Sequence, residues 1–148
     1  MVLDTSAVLA ILFDEPERAS FNRIIEDADT RWMSTATFVE ASIVIEARHG
    51  ADGLQDLDLL IERAEVELIP VDGEQAQAAR RAWSRYGKGR HAAALNYGDC
   101  FSYALATTAA HPLLFKGDDF AATDVAVVKM PDDDEHVEAP TADDERIG

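Results

Sequence analysis

The sequence predicts an α/β domain built on a mainly parallel sheet. Three observations predict it. Short apolar runs of strand length alternate with segments of helical periodicity along most of the chain. Several of these runs end on an acid or lead directly into one, as strand ends that open onto a site do in such sheets. A chain of 148 residues, 47% hydrophobic and 28% charged, can also bury one sizeable core without disulfides, and its single cysteine allows no internal disulfide.

Val2-Leu3 reads as a buried strand that ends at Asp4. Thr5 and Ser6 can cap the first helix, and residues 7–13, apolar nearly all round, form that helix in a buried position. Residues 14–17 are a turn with Pro16 at a helix start, and Phe21, Ile24, Ile25 and Ala28 share one face of a helix over 17–28. Arg31 to Ser34 is a second strand. Phe38, Ala41 and Ile45 mark a helix over 37–48 that Gly50 stops, and Leu54, Leu57, Leu60, Ile61 and Ala64 mark another over 53–65. Val66 to Val71 is a third strand, ended by proline. Residues 73–86 form an Ala/Arg-rich helix, 87–89 a loop, and 97–110 a helix that ends before Pro112. Leu113 to Phe115 is a fourth strand and Val125 to Lys129 a fifth.

The net charge is −16. Residues 131–148 hold eight acids and one base, a local −7, and lack apolar periodicity, so they read as an acidic mobile tail behind a domain of residues 1–130. No apolar run approaches the roughly 18 residues a membrane helix needs, and the N-terminus has no basic leader region. The expectation is a soluble cytoplasmic protein without a membrane partner. The phosphate-binding patterns GxxxxGK[ST] and GxGxxG and the nucleophile elbow GxSxG are absent. The four histidines have no ligand spacing, and Cys100 reads as a small buried thiol.

Four stretches place carboxylates at the carboxyl edge of the expected sheet. Asp4 follows the first strand, Glu40 lies just after the second, Asp99 opens the 97–110 helix, and Asp118 and Asp119 follow the fourth. Each has a local reading. Asp4 can cap the first helix, Thr37-x-x-Glu40 makes a capping box, Asp99 can complement a helix dipole, and Asp118-Asp119 can be turn residues. Together they point to a cation site, because clustered carboxylates raise one another's pKa values and divalent ions relieve this. Mg²⁺ prefers such oxygen ligands. Two ions about 3.5–4 Å apart can activate water and stabilise a leaving oxygen in phosphodiester hydrolysis.

An acidic chain repels nucleic acid at long range, yet one stretch reverses the sign. Residues 75–98 contain no acid but hold Arg80, Arg81, Arg85, Lys88 and Arg90, with Trp83, Tyr86 and Tyr97 interleaved. Such cations grip phosphates and such rings stack on unpaired bases. Arg85, Lys88 and Arg90 are the expected RNA contacts. The plainer reading is a solvated helix and loop.

The motifs Val2-Leu3-Asp4-Thr5-Ser6-Ala7, Ser34 to Glu40, Tyr86 to His91, Leu95 to Ala106 and Pro112 to Phe120 together resemble the PIN-domain ribonucleases of the VapC toxin type. The resemblance covers about residues 1–130. It implies a PIN-like three-layer α/β/α fold and an Mg²⁺- or Mn²⁺-dependent endoribonuclease that leaves 5′-phosphate and 3′-hydroxyl ends. It further implies neutralisation by a cognate VapB-type antitoxin, and a homodimer is expected. By the resemblance Asp4, Glu40 and Asp99 are the first three acids. Asp119 or Asp118 is the fourth, Asp124 is a supporting acid, and Thr5 and Ser6 support Asp4 through their hydroxyls. Two other readings remain: a PIN-like module that binds RNA or protein without cutting, and an acidic mimic of nucleic acid.

Overall fold

The expected alternation is present in the computed structural model, which describes residues 1–131. Apart from Pro131, the segment read as an acidic tail lies outside the described residues. The elements are β1 (Val2–Leu3), α1 (Thr5–Leu12), α2 (Arg18–Asp27), β2 (Trp32–Ser34), α3 (Thr35–Arg63), β3 (Glu67–Ile69), α4 (Gly73–Tyr86), α5 (Tyr97–Ala109) and β4 (Leu113–Leu114). A 3₁₀ turn comes next at Phe120–Ala122.

The four strands form one parallel sheet in the order β3-β2-β1-β4. Side chains alternate across it. Val2 and Leu113 pack against α4 and α5, with Trp32 and Ile69 beside them. Leu3, Leu114 and Met33 pack against α1, α2 and α3, with Leu68 beside them. Two cores thus sandwich the sheet, as three α/β/α layers require. The strands are only two or three residues long, but the two inner-strand residues Val2 and Leu3 are almost fully buried.

The order decides where the site can be. From β1 the chain winds outward through β2 to β3, covering one face with α1 to α3. It then crosses the other face with α4 and α5 and returns beside β1 as β4. The winding direction reverses between β1 and β4, and it is beyond the carboxyl ends at such a reversal that sheets of this kind bind their ligands.

Two local expectations change. α3 starts directly at the end of β2, with Ser34 as its N-cap accepting from the Ala36 N–H at 3.2 Å. Thr37 therefore lies inside the first turn, and the Thr37–Glu40 capping box does not form. Gly50 does interrupt this helix, with φ 61° and ψ −150°, a conformation that glycine adopts without a Cβ penalty. The fifth strand shrinks to one parallel bridge, Leu113 to Val127. β4 is two residues long, and Leu114 already serves β1 by accepting from the Asp4 N–H. Only the N–H and C=O of Leu113 remain for Ala126 and Val128.

Candidate active site

Asp4 leaves β1 at the reversal point and is 3% exposed. Its Oδ2 accepts from the Ser6 N–H at 3.0 Å and the Ser6 hydroxyl at 2.7 Å, and its Oδ1 accepts from the Ser102 hydroxyl at 2.6 Å. The Ser102 proton is committed to Asp4, so Thr37, 3.1 Å from Ser102 Oγ, is the donor in that pair. Ser6 Oγ in turn accepts from the Lys116 N–H at 2.9 Å. Asp4 is both the N-cap of α1 and the centre of a hydrogen-bond chain joining α1, α3, α5 and the loop after β4.

Glu40, one turn beyond Thr37, is half-buried, and its Oε1 accepts from the Thr5 hydroxyl at 2.6 Å. Its carboxylate lies against Gly98 so closely that a Cβ there would overlap it. Asp99 comes next, at the third position of α5. The Asp99 N–H donates to the Asn96 side chain, and Asp99 Oδ2 accepts from the Asn96 N–H at 2.9 Å, a complete capping box. Burial pushes the Asp99 carboxyl up to about 7. The carboxylates of Asp4, Glu40 and Asp119 add to the rise, and the Asn96 N–H opposes it.

The two candidates for the fourth acid are adjacent in the loop after β4. Asp119 acts on Asp99 through its charge, its side chain free of any capping bond. Asp118 and Asp119 are both exposed, and the Asp118 carbonyl accepts from the Ala121 N–H in the turn. Asp124 faces elsewhere. The Tyr103 hydroxyl donates to it and, with Arg85 at 3.5 Å, holds its carboxyl below the usual range. Arg85 also lies over the Tyr86 ring at 4.9 Å. Lys88 and Arg90 are exposed and form no ion pair among the described residues. Burial, with Asp99 beside it, pushes the Cys100 thiol up to about 11, as a buried and inert thiol requires.

The sequence reading missed Ser102, Thr37, Gly98 and Lys116. The spacing of Gly98 and Ser102 around Asp99 places both on the turn that meets the sheet, a signal legible only once α5 is set against β1. A cleft of about 880 Å³ lies beside Met1, Thr30 and Pro112 and contains none of these acids.

The donor set suits a hard divalent cation. Its members are carboxylate and hydroxyl oxygens, with no histidine or cysteine ligand among them. Among the described residues, none of Asp4, Glu40, Asp99 and Asp119 is paired with a lysine or arginine. No three His, Cys, Asp or Glu side chains among the described residues converge tightly enough to ligate one ion together.

The PIN domain family matches residues 1–126. A curated relative, Ribonuclease VapC30 of Mycobacterium tuberculosis, is 54% identical over 131 residues, spanning 88% of this chain and all of its own. Ribonuclease VapC of Mycolicibacterium smegmatis is 57% identical over 128 residues, 86% of this chain and 99% of its own. Among solved structures, Mycobacterium tuberculosis VapC20, described as a Sarcin-Ricin loop cleaving toxin, superposes with TM-score 0.71 at 16% identity. The match covers 88% of this chain and 98% of that one. VapBC2 from Rickettsia felis, bound to a promoter DNA fragment, gives TM-score 0.69 at 14% identity over the same shares. By its fold and by these relatives, the chain belongs to the PIN-domain family as an endoribonuclease of the VapC toxin type.

Proposed function

We propose that RNA is cut beyond the carboxyl ends of β1 and β4, where Asp4, Glu40, Asp99 and Asp119 hold the divalent cation, Mg²⁺ or Mn²⁺, that the reaction uses. The observation that carries this reading is the convergence of these acids beyond β1: Ser102 of α5 bonds Asp4, Thr5 bonds Glu40, Gly98 beside Asp99 lies against the Glu40 carboxylate, and none of the four pairs with a lysine or arginine among the described residues. Bound positive charge relieves that state. When bound, the cation supplies activation of water and neutralises charge on the leaving oxygen.

The chain's own residues hold the geometry. Ser6 and Ser102 fix both oxygens of Asp4, and Thr5 fixes Glu40. Asp119 takes the fourth place rather than Asp118. Lys88 and Arg90 meet RNA phosphates, and Arg85 joins them only by leaving Asp124. A cognate VapB-type antitoxin is the regulatory partner, supported by fold neighbours solved as VapBC and toxin–antitoxin complexes. A homodimer in the cytoplasm completes the reading. No helix among the described residues is long and apolar enough to cross a membrane.

Asp4→Asn and Asp99→Asn each lower cleavage of single-stranded RNA by more than about 10²-fold in saturating Mg²⁺, beyond the usual loss from a supporting residue. Circular dichroism remains native. Wild-type cleavage by either variant overturns the assignment, and a wild-type chain that binds RNA but cuts it with neither ion is a binding module.

A further inference from the structure

We propose that the groove between α4 and α5 seats one unpaired nucleobase of the RNA, stacked on Trp83 and Tyr97. This rests on the ribonuclease reading and extends it to how the strand is held beside the carboxylates.

Among the described residues, Tyr97 at 78% and Trp83 at 39% are the exposed aromatic rings, beside the exposed aliphatic side chains Val39, Ile43, Leu59, Val127 and Met130 elsewhere. The two rings stand on facing helices. Phe101, edge-on to Tyr97 at 4.9 Å, lines the groove with Ala79, and Arg80 is the one charged residue on its wall. The volume is about 270 Å³, below the roughly 300–1,000 Å³ of pockets that enclose drug-sized ligands. One flat ring suits it better than a docked helix.

Position ties the groove to the acids. Tyr97 opens α5 two residues before Asp99, and Phe101 lies one turn further. Gly98 and Ser102, the next residue in each case, touch Glu40 and Asp4. The groove and the carboxylates therefore flank the same two turns of α5. A nucleotide seated in the groove neighbours a phosphate at the acids.

Charge argues for a nucleic-acid strand as the occupant. The acid-free stretch 75–98 supplies the helix wall of the groove and the loop beside it. The Leu95 N–H donates to the Tyr86 carbonyl at 2.9 Å, which folds the Lys88–Arg90 loop back onto the start of α5. An anionic backbone is drawn to this end of an otherwise acidic molecule. Ring stacking then adds grip without choosing a base.

The test is the affinity of the full chain for a labelled single-stranded oligoribonucleotide in EDTA, read by fluorescence anisotropy. Tyr97→Ala and Trp83→Ala each weaken binding by about 5- to 150-fold, the usual range for one lost stack. Tyr97→Phe binds as wild type, because the ring and not the hydroxyl stacks. The salt dependence of Tyr97→Ala keeps the wild-type slope, because no phosphate contact is lost. A ribose-phosphate strand without bases binds wild type as weakly as RNA binds Tyr97→Ala. If wild type binds and cuts RNA while both alanine variants bind it equally well, the groove proposal alone falls. If Tyr97→Ala changes the solution mass of the chain but not its RNA affinity, the groove belongs to a second copy and the proposal is overturned. A wild-type chain that neither binds nor cuts RNA takes down the ribonuclease reading as well.

Discussion

Glu15 and Glu17 share the ammonium of Lys116, whereas Asp4, Glu40, Asp99 and Asp119 share no cation among the described residues. Residue 116 touches both groups. Its side chain binds the two glutamates, and its N–H donates to Ser6 Oγ, which bonds Asp4. Protonation responds in opposite directions. The Glu17 carboxyl is held below its ordinary range by its own backbone N–H and by Lys116, whose ammonium the two glutamates raise in return. The Asp99 carboxyl rises to about 7. Acids with an internal cation fasten the α1–α2 turn to the loop after β4. Acids without one form a cluster that calls for a cation from solution. The clasp also keeps the nearby lysine away from the cluster.

The largest effect that separates the two groups comes from Gly98→Ala. The three atoms nearest its new Cβ all belong to the movable carboxylate of Glu40, so the fold accepts it and Glu40 leaves its place. Cleavage falls about 10- to 100-fold while the thermal midpoint stays. An unchanged rate would mean that the position of Glu40 does not matter to the uncompensated cluster.

Lys116→Met attacks the clasp instead. The loop carrying Asp119 loses one of its two anchors, and the Mg²⁺ concentration for half-maximal cleavage rises by about tenfold, the low end for a supporting residue. Exchanging the charges, Lys116→Glu with Glu15→Lys and Glu17→Lys, returns it towards wild type. A Mg²⁺ dependence that does not move in Lys116→Met would reduce the clasp to a surface ion pair.

The pH dependence of stability tests the missing cation directly. In chelator-treated protein Asp99 titrates near 7 when folded, against 3.8 for the ordinary carboxyl. Between those values the folded chain holds a proton that the unfolded chain has released. Stability contributed by this group is therefore present at low pH, falls as pH rises through the window, and is level above it. Urea unfolding at about pH 5 and about pH 7.5 reads the slope. Asp99→Asn flattens it, and Mg²⁺ stabilises wild type more at the higher pH, where the carboxylate is ionised. A wild-type slope of zero would show that the cluster carries no strain.

The smallest effect concerns the segment beyond residue 130, a third acidic group, with net −7 over 131–148. We propose that it competes with RNA for the exposed cations Lys88 and Arg90. A chain ending at Met130 unfolds as cooperatively as the full chain and binds RNA a few-fold tighter at low ionic strength, the gap closing as salt screens the charges. Lost cooperativity would make the segment part of the core.

The range of the forces involved explains where the sequence succeeded and where it failed. By itself it determined the strand–helix alternation, the break at Gly50, the acids near strand ends and the position of Asp99 in the first turn of its helix. These signals act within a few residues, through side-chain periodicity, backbone conformation and capping bonds. Only the tertiary structure decided the remainder. Thr37 looked like a cap but serves Ser102, 65 residues on, which in turn serves Asp4 at a separation of 98. The pairing of Arg85 with Asp124, 39 residues on, is likewise a contact between distant segments. Each outcome depends on the order β3-β2-β1-β4, which sets β4 and α5 against β1. No local propensity encodes that order, because it is fixed by burying both faces of the sheet at once.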